Sequence, residues 1–502
     1  MREDIQKALD FVNQTLDKAE KYEHAARVLN YDQETICPEK GRLEQGEVGA
    51  MLSNQAFKLT KQPEFIEAAE TLYEGRDELG EWDQALADQL HRSYERTKNV
   101  SPEKQHEWSL SYNEAFVKWL EAKQKKDYSV FEPSLEKVVG IAREQVSLLD
   151  NPLPDTYANL LADYERGVSS EELNEWFGAY KERMIPLLKK IMASPKKIRT
   201  DFLARPVKDY QQAEMARYLL EVIGYDFERG AFTTTEHPFT DGIGQNDVRI
   251  TTKYKHDNFS SNMFTVIHEG GHALFEMLQP RENYAHHING GKTMGMHESV
   301  SRFYENRIGR SKEFVHLIYP KVCEIFPDAM SDVSEQELYE ALNVVQPSLI
   351  RTEADEFTYP LHIIIRIEIE QGMLDGSIPI DKADQVWADK YEEYLGVRPE
   401  NPAEGILQDV HWTFGFAYFP TYGLGNMYNA MYYNRLKEEI DLPAAISSGD
   451  FKTIDGWMAE HVFKKADRMD MKSWIRDICG RDFTPNDFLD YLEEKYSALY
   501  EL

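Results

Sequence analysis

The chain is predicted to fold as a mainly α-helical body with one small β-hairpin or sheet near residues 232–254, and three observations predict it. Apolar residues recur at three- and four-residue spacings through most of the 502 residues, the period of a half-buried helix. No Gly/Ser-rich or Pro-rich linker interrupts that pattern, and no internal repeat divides it. One stretch alone changes period, alternating β-branched and polar residues instead.

In chain order, Ile5, Leu9, Val12, Leu16, Ala19, Tyr22, Ala26 and Leu29 make one apolar stripe on a first long helix whose other face is charged. Later helix starts are marked by Ser169-x-x-Glu172 and Ser334-x-x-Glu337, which have the capping-box pattern, and by Thr484-Pro485, a preset first turn. Between them, Phe232 to Thr240 and Val248 to Thr252 read as strands around the turn-prone Asp241-Gly242-Ile243-Gly244. Ser261 to Leu278 returns to helical periodicity and is closed by Pro280, and His297 to Glu305 reads as the next helix. Length alone allows about three domains. The uninterrupted pattern favours one unit over residues 1–502, with two lobes flanking a groove as an arrangement such a body permits.

Composition narrows the function. Acidic residues number 88 against 57 basic ones, a net charge of −31, which argues against a nucleic-acid binder because phosphate neutralisation needs a basic face. Hydrophobic residues make up 42% of the chain and aromatics 12%, which excludes a disordered acidic chain. Cys37, Cys323 and Cys479 are far apart and read as reduced thiols. The charged start of the chain lacks the apolar core of a signal peptide, and no long apolar run predicts a membrane span. A cytoplasmic protein without membrane or nucleic-acid partners is expected.

The most informative segment is His268-Glu269-Gly270-Gly271-His272. Spacing i, i+4 sets both imidazoles on one helical face, where they can hold one zinc ion, and places Glu269 to take a proton from the attacking water. Gly270 and Gly271 each cost about 1 kcal/mol relative to Ala in a helix, so their retention implies close approach of a backbone or ligand. Zinc also needs a third protein ligand. Glu298, 26 residues beyond His272, is favoured over the loop pair His286 and His287 beside Gly290-Gly291.

Six ordered motifs then become recognisable: His237-Pro-Phe239, Asp247-Val-Arg249-Ile-Thr251, His268 to His272, His297-Glu-Ser299, Ile350-Arg351-Thr-Glu-Ala-Asp355, and Gly405 to Trp412 with Asp409 and His411. Together they resemble the signature of the M32 metallocarboxypeptidases. Tyr31-Asp-Gln-Glu-Thr35 is similar to the family's WDQET, with Tyr in place of Trp. The resemblance implies a neurolysin-like helical body with a long substrate groove and a homodimer. It also implies removal of C-terminal residues from peptides with broad preference, and one zinc ion per subunit with cobalt as an alternative. His268, His272 and Glu298 match the family's metal ligands, and Glu269 its general base.

The remaining candidates bear on substrate. A guanidinium at Arg351 can grip a terminal carboxylate bidentately, or it can pair structurally with Glu353, Asp355 or Glu356; the resemblance favours substrate. Arg249 matches a motif at the groove's closed end, or is an ordinary strand-surface charge. His411 and Tyr422 can donate hydrogen bonds to a developing oxyanion, although a Tyr in an aromatic-rich stretch is more often core. His237, extended because Pro238 follows, can line the groove. The expected activity is carboxypeptidase, and the rivals are an oligopeptidase lacking the terminal anchor and a silent metal-binding scaffold.

Overall fold

The structure, a computed structural model, describes residues 1–289 and 293–502. Helix dominates, and a three-stranded sheet is the one sheet among the described residues. The first helix runs Glu3–Thr35, and every residue of its sequence stripe is buried or half-buried. Both capping boxes form, Ser169 with Glu172 and Ser334 with Glu337, each satisfying two otherwise orphaned N–H groups. No helix among the described residues is long and apolar enough to cross a membrane.

Burial separates the apolar side chains into two clusters. The larger extends from Ala115 to Tyr500. The smaller joins Ile5, Leu9 and Val12 of the first helix to Phe65, Leu72 and Leu86, with Ile288 alongside. Phe259–Leu278, which carries His268 and His272, is apolar around most of its circumference, as a helix packed on all sides must be. A short helix, Arg281–Ala285, comes between it and Met294–Arg302, which is therefore not the next helix the sequence suggests; Met294–Arg302 continues into one π-helical turn, Phe303–Ile308, so Glu298 and Glu305 come from a continuous piece of backbone.

The sheet departs from the simple hairpin the sequence suggests. β1 (Gly230–Thr234), β2 (Thr240–Gly244) and β3 (Asp247–Thr252) lie in the order β1-β3-β2, with β1 parallel and β2 antiparallel to β3. The reversal falls at Gln245-Asn246, and the expected turn, Asp241 to Gly244, is strand. Its glycines answer to proximity: a Cβ on Gly242 would stand 3.2 Å from the Glu276 side chain. The chain leaves the sheet around Pro238, which has no N–H to donate.

Candidate metal centre and substrate cavity

His268 and His272 project from one face of Phe259–Leu278, and Glu298 meets them from Met294–Arg302. The ligand atoms of the three lie within 4.8 Å of one another. Glu298 Oε2 stands 3.8 Å from His268 Nε2 and 3.6 Å from His272 Nε2. Backbone proximity sets this convergence. A Cβ on Gly271 would lie 2.7 Å from Ser301 Cα, and one on Gly425 would lie 3.0 Å from both Glu298 Cγ and Ser299 N. The Glu298 helix is thus pressed between two glycines, while Gly270 makes room for Ile223, 2.5 Å from its would-be Cβ.

A second layer orients the first. His268 Nδ1 is 2.9 Å from Glu305 Oε2; His272 Nδ1 is 2.6 Å from His297 Nδ1, whose Nε2 reaches Glu276 Oε1 at 3.0 Å. Arg302 donates to Glu298 Oε1 at 2.7 Å and to Glu305 Oε2 at 2.9 Å. Such outer partners fix the ring orientation of metal-binding histidines. Burial pushes the His272 imidazole down to about 3, so its ring is neutral, the state a metal ligand requires. Burial opposes charge on Glu298, yet Arg302, then His268, hold its carboxyl well below the usual range. A neutral imidazole, an anionic carboxylate and a carboxylate-supported second imidazole fit a zinc-class ion by donor type.

Glu269 is 8% exposed, and burial raises its carboxyl above the ordinary glutamate range, with His268 and Thr240 acting against that rise. Thr240 of β2 donates to Glu269 Oε2 at 2.7 Å. Oε1 makes no hydrogen bond among the described residues.

His268, Glu269 and Glu298 line a cavity of about 900 Å³, which His237, Arg351, Tyr359 and Tyr422 also line. Arg351 belongs to the turn Arg351–Glu353, and its guanidinium pairs with none of the three carboxylates the sequence offered. Its Nε and Nη2 donate to Asp409 Oδ1 at 3.0 and 2.8 Å, and Nη1 to the Tyr359 hydroxyl at 3.1 Å. Glu353 holds Lys255, Asp355 accepts backbone N–H groups, and Glu356 is paired with Arg307 and Lys495. Arg366 takes the other Asp409 oxygen at 2.5 Å, so two guanidinium groups share one carboxylate. Tyr422 presents its ring to Arg351, 5.0 Å from the guanidinium carbon, and its hydroxyl is 3.3 Å from His411 Nε2. His411 itself stands behind Tyr422, outside the cavity lining, and burial pushes its imidazole down to about 4.

The other candidates lie elsewhere. Arg249 is held by Asp247 at 2.7 Å and covers the Tyr31 ring at 5.0 Å; it does not line the cavity. Tyr31, the position where the motif has Trp, meets Phe239 edge-on at 5.9 Å. His286 faces Asp83 and His287 faces Glu20, each at 2.7 Å; neither joins the HExxH group, and Gly290-Gly291 lie outside the described residues. The roles of His297, Glu305 and Asp409, and of Thr240, Glu276, Arg302 and Arg366, do not follow from the sequence. Glu305 carried one available signal: seven residues after Glu298, it falls two turns further along a helix.

Two imidazoles and a carboxylate converging beside a cavity, with a further buried carboxylate on the same helix, define a helical metallopeptidase. The chain belongs to the carboxypeptidase Taq (M32) metallopeptidase family, whose profile matches residues 11–496. It is similar to carboxypeptidase 1 of Bacillus subtilis, at 36% identity over 492 residues and 97% of each chain. It is likewise similar to thermostable carboxypeptidase 1 of Thermus thermophilus, at 35% identity over 94% of each chain. A solved structure of Pyrococcus furiosus carboxypeptidase shares the fold, with a TM-score of 0.93 at 33% identity over 99% of each chain.

Proposed function

We propose that this enzyme is a zinc carboxypeptidase that removes C-terminal residues from peptides, with His268, His272 and Glu298 holding one ion per subunit. The observation that carries the carboxypeptidase register is the Asp409 pair. Two guanidinium groups against one carboxylate leave a surplus positive charge, and Arg351 brings it to the cavity that Glu269 and Glu298 line. A peptide's terminal carboxylate is the anion that completes this group.

Bound zinc supplies Lewis acidity toward the scissile carbonyl. The chain's own residues supply the rest. Glu269 takes the proton of the attacking water at Oε1, the oxygen Thr240 leaves free, and passes it to the leaving amine. Its raised affinity for a proton suits that transfer. Tyr422 offers its hydroxyl to the developing oxyanion, and His411, 3.3 Å behind, orients that hydroxyl. Arg351 fixes the substrate end, so the bond next to the terminal residue is the one presented. His237 contributes at the exposed part of the lining, and Arg249, through Asp247 and Tyr31, supports the sheet that bounds the groove's closed end. A cytoplasmic homodimer completes the reading, supported by the family resemblance.

The test is a pair of peptides identical but for a free or amidated C-terminus. Losing the charged partner of a buried guanidinium costs about 2 to 5 kcal/mol, so the amide is cleaved at least about thirtyfold more slowly. Arg351→Ala damages cleavage of the acid and narrows the gap. Equal rates on acid and amide in the unmodified enzyme would refute terminal anchoring.

A further inference from the structure

A second cavity, of about 350 Å³, lies on the other side of Arg310, which lines both. Although the chain is strongly acidic overall, this cavity is lined by Lys196, Arg307, Arg310, Lys312, Lys437 and Lys495 against Glu313, Glu340 and Glu494. Clustered charge of one sign in a concave site focuses the field and raises the local concentration of counter-ions.

Glu313 and Glu494 stand unpaired among the described residues and offset Lys312 and Lys437 in number, so the surplus rests on the buried Arg307 and Lys495. Lys196 is paired with Glu340 at 3.0 Å, and Arg310 reaches Glu305 at 3.4 Å. Arg307 and Lys495, with side chains 0% and 9% exposed, share the single carboxylate of Glu356, at 3.0 and 2.6 Å. One buried positive charge is therefore in excess there, an expensive condition unless an anion is close. Lys312 and Lys437 have no carboxylate within 4.0 Å among the described residues. Their ammonium groups lie over tyrosine faces instead, Lys437 at 4.5 Å from the Tyr433 centroid and Lys312 at 5.3 Å from that of Tyr339. Arg307 stacks on Tyr491 at 3.8 Å. A ring holds a cation in place without forming an ion pair with it, so both lysines remain available to an incoming anion. Burial lowers the Lys437 ammonium below the usual lysine range, and Arg307 acts in the same direction, while Glu494 opposes them.

We propose that this cavity is a binding site for a small phosphate-bearing anion, held by Lys312 and Lys437 over the excess charge of Arg307 and Lys495. A tetrahedral dianion suits it because it offers oxygens in several directions to basic side chains that line the cavity from different elements. Lys312 begins the helix Lys312–Ile325, Lys437 ends Pro420–Glu439, and Lys495 lies within Asn486–Tyr500. Through Arg310 the site borders Glu305, which holds His268 at the metal centre.

The experiment is calorimetric titration of the zinc-loaded enzyme with inorganic phosphate, and in parallel with glycerol phosphate, in the unmodified protein and in the Lys312→Ala/Lys437→Ala variant. The expected result is a saturable component of one equivalent per chain with Kd at or below about 1 mM, weakened at least about tenfold in the variant. A preference for either probe tells free phosphate from a phosphate ester. Phosphate captured at the metal or at Arg351 binds both proteins alike. The proposal is overturned if the unmodified protein shows no saturable binding up to about 20 mM, or if the variant, with its melting transition and peptidase activity retained, binds with unchanged affinity. A variant that fails to fold is replaced by Lys437→Gln, for which the same loss is expected and the same persistence of binding overturns.

Discussion

Replacing Gly271 by Ala tests whether the proposed zinc site is set by the backbones of two helices. The added Cβ would stand 2.7 Å from Ser301 Cα and 3.1 Å from the Val300 carbonyl oxygen, both main-chain atoms that no rotamer change can move aside. Ordinary contact begins at 3.4 Å, so Met294–Arg302 must retreat by about 0.7 Å from Phe259–Leu278. Metal–ligand distances tolerate about 0.2 Å. The retreat carries Glu298 beyond that tolerance, and zinc affinity falls at least about tenfold, the lower end of what disturbed outer partners produce. Stability is the poorer readout. Helix propensity returns about 1 kcal/mol while overpacking removes about 1 to 3 kcal/mol, so the net loss is no more than about 2 kcal/mol. Competition with a chromogenic zinc chelator at fixed pH measures the affinity. Gly49→Ala, on a helix where a Cβ meets nothing within 4 Å, serves as control and gains about 0.5 to 1 kcal/mol in stability at unchanged zinc affinity. If Gly271→Ala binds zinc within twofold of the unmodified protein, backbone contact does not set the site.

Other substitutions separate the roles. Glu269→Gln keeps its zinc and loses at least about a hundredfold in turnover, as metal analysis beside peptide hydrolysis will show; parallel loss of zinc would contradict its assignment as base. Glu298→Ala empties the site under dialysis while His287→Ala leaves zinc content unchanged, and the reverse pattern would transfer the third ligand to the loop. Glu370, fully buried beneath Trp412, has its carboxyl raised by burial to about 7. Because the folded-state value lies above the unfolded one, its stability contribution is present at low pH and is lost as pH rises from about 4.5 to 7, a change of about 3 kcal/mol. Melting curves across that window should show Glu370→Gln gaining on the unmodified protein; parallel curves would refute the shift.

What was legible in the sequence follows the range of each interaction. His268, Glu269 and His272 belong to one helix, whose period fixes their relation, and Glu298 needed only a nearby later helix to return. The layer behind them was not legible. His297 reaches Glu276 by crossing between helices, and spacing along a chain does not tell which faces meet. Arg351 shows the same limit: three carboxylates stood within five residues, and the partner is Asp409, 58 residues away. The sheet was misread in detail because glycine signals both a turn and a close approach, and at Gly242 the approach of Glu276 is the reason.

The smaller apolar cluster has a bearing on Glu269. The first helix, whose opening turns are anchored in that cluster, also grips β2 further along, where Arg27 donates to the Gly242 carbonyl at 2.8 Å. β2 in turn carries Thr240, which holds Glu269. A satellite core of this kind is a natural unit of sub-global opening, because it can come apart while the larger core stays closed. Such an opening slackens the strand behind the base but leaves His268, His272 and Glu298 clasped between helices of the main core. Loosening the satellite cluster would therefore act on Glu269 through Arg27 and Thr240 before it acted on the three grouped ligands.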